Sequence, residues 1–334
     1  MSVVTSLDFD GGTDGVVLTL LDNMIWPILA VAVLGALVFV PQTFTNLRSI
    51  ELLLHSSVGL GFLVLAESIC LISGHFDLSV GSIAGFSAMF TALVLSPSNW
   101  AVFASPVAGV VTILLVGALI GVVNGVFISK LGINPFLQTL AFLIIFEGAK
   151  ISLSSLPVSD LPSGYTAIGA SAEVAVGALL LTFLVVAILM KRTPFGQSIY
   201  ALGSEKESAR AVGIDTDRMI IAVYGLSGLF AGVGGLMLTG YTTVVSPDTA
   251  SGLVCPAFAA SVVGGISLFG GRGKVSGALG GVLLLGLVQT ALNLSGIGVA
   301  QIQAVNGLIL LIAILLYNTR SNIRQRILSA EATQ

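Results

Sequence analysis

Two glutamates interrupt long apolar stretches of this chain, where an ionisable side chain is costly. Such groups inside lipid face a cavity or a partner. Glu67 is therefore a candidate to bind solute hydroxyls or a proton, with the alternative that it is protonated or paired for a structural purpose. Lys150 follows Glu147 by three residues, a spacing that places both on one helix face and predicts a local ion pair.

Neutral amides supply further candidate contacts for a polar solute. Amide side chains donate and accept hydrogen bonds without a net charge, so such a lining suits a polyol better than an ion. With two cysteines, two histidines and no metal-binding motif, the sequence predicts no metal site and no catalytic residues. The candidates for a translocation pathway are Glu67, Asn124, Gln138, Gln289 and Asn293.

Two glycine-containing segments are predicted to form turns. The segment 270–274 resembles a phosphate-binding loop but fails the pattern, because Leu268 stands at the required first glycine and Val275 follows Lys274. The chain therefore has no recognisable nucleotide site. Asp77 precedes Leu-Ser and is predicted to cap the next helix, in a turn that either shapes the pathway or serves capping alone. The predicted turn residues are Asp77, Ser79, Gly81, Gly270, Gly271 and Gly273.

The elements that must position these residues are membrane-spanning helices. Of the 334 residues, 55% are hydrophobic and only 9% are charged, which excludes a soluble globular protein. We predict an all-α polytopic membrane protein with about ten transmembrane helices, some broken or re-entrant, the eighth being the shortest. The predicted spans are 24–40, 52–73, 79–95, 106–129, 136–153, 173–190, 219–240, 253–268, 275–294 and 302–317.

Orientation follows from the cations. With both termini in the cytoplasm, 11 of the 13 Lys and Arg residues fall on the inner side, as the positive-inside rule requires. We predict an acidic cytoplasmic tail over 1–23, a transmembrane domain over 24–318 and a cytoplasmic tail over 319–334. A repeated GALxGV pattern in the fourth and ninth spans, which run in opposite directions, indicates a candidate inverted repeat.

The longest predicted inner connection, 191–218, contains a short helical pattern. Ser204 is placed to cap a helix that begins with Glu205 and Glu207, since acids are favoured at a helix N-terminus. Gly213 is placed to end it, with Arg210 in the last turn. We interpret this segment as a helix on the cytoplasmic face, and the alternative is a solvated loop.

Three motifs in order resemble those of ribose-type sugar ABC importer permeases. GHFDLSVGSIAG resembles the family's G-x-D-L-S-V-G-S motif, ALGSEKESARAVGI its cytoplasmic loop, and ASVVGGISLFGGRG its A-x-V-x-G-G-x-S motif. The likeness covers roughly 47–317. Departures include Glu205, where the family usually has Asn, and Glu67, where a neutral residue is usual.

The resemblance implies a membrane subunit of an ATP-driven importer in the inner membrane, not an enzyme. The implied partners are an ABC ATPase that binds ATP-Mg, a solute-binding protein, a second permease copy or paralogue, and lipid; a net charge of −3 argues against nucleic acid. This chain itself would bind no cofactor. A cytoplasmic coupling helix would dock into the ATPase through Gly203, Glu205, Glu207, Ala209, Arg210 and Gly213.

The expected cargo is a monosaccharide, such as ribose, another pentose or a hexose. Alternative cargoes are a nucleoside, an inositol or an autoinducer-type furanose. A different class stays open from the residues alone, namely a stand-alone secondary transporter or channel that uses Glu67 as a proton or cation site.

Overall fold

The computed structural model describes residues 23–102 and 104–331, and this part of the chain is helical throughout. Its only β-type pairing is one isolated antiparallel bridge between Val158 and Val245. The helices are α1 Ile25–Phe39, a 3-10 turn Pro41–Thr43, α2 Leu47–Ile72, α3 Val80–Leu95, α4 Pro106–Lys130, α5 Pro135–Leu153, α6 Ser163–Ala170, α7 Ala172–Arg192, α8 Pro194–Ser204, α9 Lys206–Ala211, α10 Thr216–Thr242, α11 Val254–Val263, α12 Val275–Leu294 and α13 Val299–Glu331.

Each of the ten predicted spans coincides with a helix, which confirms the polytopic helical fold. Seven helices within the described residues are long and apolar enough to cross a membrane. The other three, α1, α3 and α11, are apolar but shorter. The predicted eighth span is helical only over Val254–Val263, because the glycines that follow turn the chain. The predicted acidic tail lies outside the described residues except for Asn23, and α13 continues past the predicted end of the last span.

α2 and α10 form the centre of the bundle. From Ser57 onward every residue of α2 is buried, whereas α5 and α13 present most of their apolar side chains outward. The contact between α4 and α10 depends on small residues: a Cβ at Gly117 would overlap the carbonyl oxygen of Gly228, and one at Gly121 that of Tyr224. Small faces let helix backbones approach closely in lipid. The glycine-rich stretch of α10 therefore packs within the chain.

The helix pairing supports an inverted repeat. In α2–α5 and again in α10–α13, the second helix is the shortest and follows an irregular segment, 73–79 or 243–253. α4 packs on α10 just as α12 packs on α2, and α3 packs on α5 just as α11 packs on α13. The two groups thus repeat the same contacts with a shift of five spans, which is the arrangement of inverted-topology repeats.

The bundle has two distinct ends. At one end, which we call the basic end, Lys130 pairs with Asp217 at 2.9 Å and the amide of Gly271 donates to Ile72 at 2.8 Å. At the opposite end, 96–102 meets the α5–α6 loop, which in turn pairs with 243–253 through the bridge at Val158. The basic end carries the inner connections of the predicted topology.

Candidate functional site

Four glycines bring three separate chain segments together at the basic end. We call Gly74, Gly203, Gly270 and Gly271 the glycine junction. A Cβ at Gly203 would overlap the carbonyl oxygen of Ile72 and lie 2.6 Å from the Gly271 nitrogen, so only glycine fits there. Gly270 and Gly271 have positive φ values of 81° and 67° and form the predicted turn before α12. The three sequence motifs therefore meet at one place.

The helix start predicted at Ser204 is wrong. Ser204 ends α8, and its hydroxyl donates to the carbonyl oxygen of Tyr200 at 2.9 Å. Glu205 occupies the N-cap of α9 without a side-chain capping bond. The physical reason lies upstream, where Thr193 caps a helix whose first residue is Pro194. That earlier helix takes up Gly203, which is buried in the junction and does not belong to the exposed surface of α9.

α9 forms a short exposed helix anchored on its buried side. Ala209 is buried, while the side chains of Glu207 and Arg210 are 74% and 54% exposed. Arg210 lies 3.6 Å from Glu207 and 3.8 Å from Asp217, and it donates to Thr216 at 3.2 Å. These contacts hold α9 against the start of α10. A charged, exposed surface remains on α9.

Gly213 ends α9 as predicted. Its φ is +90°, and its amide donates to the carbonyl oxygen of Arg210 at 3.0 Å. The next amide, that of Ile214, donates back to Ala209 at 3.1 Å. These bonds satisfy carbonyl groups that the end of a helix leaves free, and a residue with positive φ is needed to make them.

A buried polar network links the Asp77 turn to three other helices. Asp77 accepts hydrogen bonds from the Ser79 amide at 3.0 Å and from the Ser227 hydroxyl at 2.7 Å. Asn124 donates to the Ser79 hydroxyl at 3.0 Å and accepts from Gln138 at 3.3 Å. The predicted helix cap at Asp77 is wrong, because Ser79 occupies the N-cap of α3 and no side chain caps it. Asp77 instead closes the turn before α3 through the Ser79 amide, and the network joins α4, α5 and α10 to that turn.

Glu67 lies near Asp77 in the same buried region, but no hydrogen bond joins it to this network. It is fully buried in α2, and among the described residues neither of its carboxyl oxygens has a hydrogen-bond partner. Gln289 is half-buried and Asn293 is exposed, both near the opposite end of α12. The structure therefore unites Asn124 and Gln138 with Asp77 and Ser79 and places Glu67 close to Asp77, whereas Gln289 and Asn293 lie elsewhere. Their role in a pathway stays a prediction.

His75 lies at the basic end, in the turn between α2 and α3. Its Nδ1 lies 2.8 Å from the Ser73 carbonyl oxygen. Burial lowers the pKa of His75 to about 4, so the ring is neutral at physiological pH. The residue thus contributes packing and a local hydrogen bond to the turn.

The predicted ion pair near the opposite end of α5 is confirmed. Lys150 Nζ lies 2.9 Å from Glu147, and the lysine side chain is completely buried. It also donates to the Thr249 carbonyl oxygen at 3.1 Å and to the Ser251 hydroxyl at 2.8 Å. The ion pair is therefore part of a larger contact with segment 243–253, which the i, i+3 spacing could not reveal.

Aromatic rings form a continuous series beside the polar network. Successive ring centroids along the series are 5.0 to 6.2 Å apart. The rings of α3, α4 and α5 are half-buried and that of Trp100 is exposed, so the series is only partly covered within the chain. In spatial order the rings are Phe127, Phe142, Phe146, Phe86, Phe90 and Trp100.

Sequence reasoning missed the partners that hold these residues. Ser227 stands in a glycine-rich stretch and Tyr224 precedes it, yet Ser227 binds Asp77, and the Tyr224 hydroxyl donates to Phe76 at 2.7 Å. The only available signal was a lone serine and a tyrosine within an otherwise small and apolar helix. No group of three or more His, Cys, Asp or Glu residues that could hold a metal occurs within the searched, described part of the chain.

Comparisons with known proteins agree with the three motifs. The family described as "Branched-chain amino acid transport system / permease component" matches residues 49–317. The L-arabinose ABC transporter permease protein AraH of Azospirillum brasilense is 32% identical over 290 residues, 84% of this chain and 83% of that protein. Ribose import permease protein RbsC of Bacillus subtilis (strain 168) is 30% identical over 305 residues, 88% of this chain and 92% of that protein.

A third relative extends the range of cargoes named. The Autoinducer 2 import system permease protein LsrC of Escherichia coli (strain K12 / DH10B) is 31% identical over 299 residues, 88% of this chain and 86% of that protein. No solved structure matches the chain. Fold and matches together define a multi-pass membrane protein of the permease class. Within that class, the chain belongs to the ribose and simple-sugar family of ABC importer permeases.

Proposed function

We propose that this chain is the membrane-spanning subunit of an ATP-driven importer that moves a monosaccharide into the cytoplasm by alternating access. A separate ATPase binds ATP-Mg, and a solute-binding protein delivers the cargo at the opposite end. The basic end faces the cytoplasm, as do both termini, and two permease copies or paralogues pair in the lipid. This chain contributes conduction and coupling and makes or breaks no bond.

The observation that carries this proposal is the position of α9. The helix exposes Glu207 and Arg210, and the preceding helix α8 is inserted into the glycine junction. The junction contacts the end of α2, the Asp77 turn and the turn between α11 and α12. A push on α9 would therefore reach both short helices, α3 and α11, through tightly packed backbone. That is the mechanical connection a coupling helix needs.

Two observations support a monosaccharide as the cargo. The printed names of the relatives specify L-arabinose, ribose and autoinducer 2. The half-buried aromatic series offers apolar ring faces of the kind that line ligand sites, and sugars carry apolar C–H faces that stack on such rings. We propose a pentose or hexose as the cargo, with an autoinducer-type furanose as the alternative.

Charge reversal on α9 tests the coupling. We would reconstitute the chain with an ABC ATPase and a solute-binding protein from the same organism, and measure ATP-driven uptake of a panel of radiolabelled monosaccharides. Arg210→Glu is expected to lose most of the uptake, because it removes contacts to α10 and reverses the exposed charge. Arg218→Glu is the matched control, since Arg218 is 86% exposed in the same region and pairs only locally with Asp215.

Two results would overturn the proposal. One is uptake in Arg210→Glu equal to that of the wild type and of the control variant. The other is uptake by the chain alone, without ATPase, which would instead support a secondary transporter or channel.

A further inference from the structure

Segment 243–253, between α10 and α11, holds an unusual backbone conformation. Thr243 and Ala250 have φ values of 58° and 62°, and they are two of the three non-glycine residues with positive φ in the described chain. Residues with a Cβ adopt this region at a cost, and such strain concentrates in switch regions when surrounding contacts impose it. In segment 243–253 this backbone conformation must be held by contacts with neighbouring helices.

Lys150 supplies the strongest of these contacts. Its ammonium group donates to Glu147 at 2.9 Å, to the Thr249 carbonyl oxygen at 3.1 Å and to the Ser251 hydroxyl at 2.8 Å. The Ser251 hydroxyl in turn donates to Glu147 at 3.1 Å. An ammonium has three donors, so Lys150 is fully used, and its side chain is completely buried. A charge buried without these partners would be costly.

The segment also lies directly on α3. A Cβ at Gly85 would overlap the Thr249 carbonyl oxygen, and one at Gly81 would lie 3.1 Å from that of Ala250. The chain then enters α11 at Leu253, so segment 243–253 sets where the N-terminus of this short helix lies. α3, α5 and α11 are thus tied together at one point by Lys150.

We propose that Lys150 is a positioning residue that latches segment 243–253 closed at the outer end of the permease. The latch consists of Lys150, Glu147, Thr249 and Ser251. When it releases, the N-terminus of α11 separates from α3 and α5, and the outer half of the pathway opens to the delivered solute. This latch rests on the proposed function, which places the end opposite the basic end on the outer side of the membrane.

A cysteine at Ala250, which is buried within the latched segment, reports on this opening. We would replace both native cysteines, Cys70 and Cys255, with Ala, introduce Ala250→Cys and follow its labelling by a membrane-impermeant maleimide, added separately to each side of proteoliposomes. Lys150→Met is expected to raise the outer-side labelling rate about tenfold or more, the factor that one lost hydrogen bond to a charged group gives. Lys150→Arg, which keeps the charge, should show a smaller increase.

Lys130→Met is the matched control, because it removes an ion pair of the same 2.9 Å length at the basic end. If Lys150→Met does not fold, Ser251→Ala removes one acceptor of the latch and decides the question. An outer-side rate in the folded variant equal to that of the wild type would overturn the latch. Faster labelling from the side of the basic end alone would instead overturn the orientation, and neither readout requires the ATPase.

Discussion

Gly203→Ala is the smallest change that tests the glycine junction. The added methyl group would overlap the Ile72 carbonyl oxygen and lie 2.6 Å from the Gly271 nitrogen. Both obstacles are backbone atoms, so no side chain can rotate away. Because protein interiors are close-packed, α8 must retreat from α2 and from the α11–α12 turn by on the order of 1 Å.

The expected cost follows from two contributions. Forcing an extra methyl group into a packed contact costs about 1–3 kcal/mol. The Gly271 amide now donates to Ile72 at 2.8 Å. If α2 and the α11–α12 turn also part by about 1 Å around the added methyl group, that pair passes beyond hydrogen-bonding distance. Leaving a buried amide unpaired adds about 1–3 kcal/mol. The free energy of unfolding should therefore fall by about 2–6 kcal/mol.

Thermal unfolding in detergent measures this loss, and Gly177→Ala provides the control. Gly177 lies within α7, and a Cβ there would meet nothing within 4 Å. Alanine in a helix interior is favoured over glycine by about 0.5–1 kcal/mol, so this variant should melt at or slightly above the wild-type temperature. The two variants differ only in where the same methyl group is placed.

Coupling should respond along with stability. Even below its melting temperature, Gly203→Ala is expected to reduce ATP-driven uptake, since the displaced α8 no longer presses on the end of α2. A Gly203→Ala variant that melts and transports like Gly177→Ala would refute the reasoning that this contact is tight and transmits motion.

Three further outcomes are expected. Asp160 accepts hydrogen bonds from two serines near the end of α3, which lower its pKa to about 2. These bonds stabilise the fold above about pH 4 and are lost as the pH falls toward 2, so Asp160→Asn should flatten the acid side of the melting-temperature profile. Asn124→Leu strands the polar groups of Ser79 and Gln138 and should cost about 1–3 kcal/mol in thermal unfolding; an unchanged melting temperature would contradict the network. Glu67→Gln should keep ATP-driven uptake, because the amide preserves the shape of the side chain, and loss of uptake would favour the proton-site alternative.

Apolar runs predict most of this fold because a backbone in lipid must form its hydrogen bonds within the chain. A stretch such as Val275–Leu294 must satisfy its own hydrogen bonds, so its length and composition identify it as a helix. Length and apolar composition do not identify α8, because its start is marked only by a local sequence pattern. Thr193 followed by Pro194 marks a helix start, but the charged residues of 191–218 favoured a single helix later in the connection.

Contacts of the candidate site could be predicted from the sequence only where the two residues are close together in the chain. The pair Glu147 and Lys150 lies within one helical turn, so its spacing was sufficient. Asp77 and Ser227 are 150 residues apart, and no pattern within either segment reveals the other. The resemblance placed Gly203 on the docking surface of the coupling helix, whereas its burial depends on the turn at Gly270 and Gly271. Contacts set by helix packing therefore required the structure.

The shift of five spans between α2–α5 and α10–α13 has a consequence for the transport cycle. If each group were given the internal geometry of the other, the helices would stay the same while the accessible face moved to the other side of the bilayer. The structure of one conformer can therefore be used to build a structure of the opposite one. A homology template built by exchanging the two halves would give a second shape, which distance measurements between spin labels on α3 and α11 could compare directly with the protein during turnover.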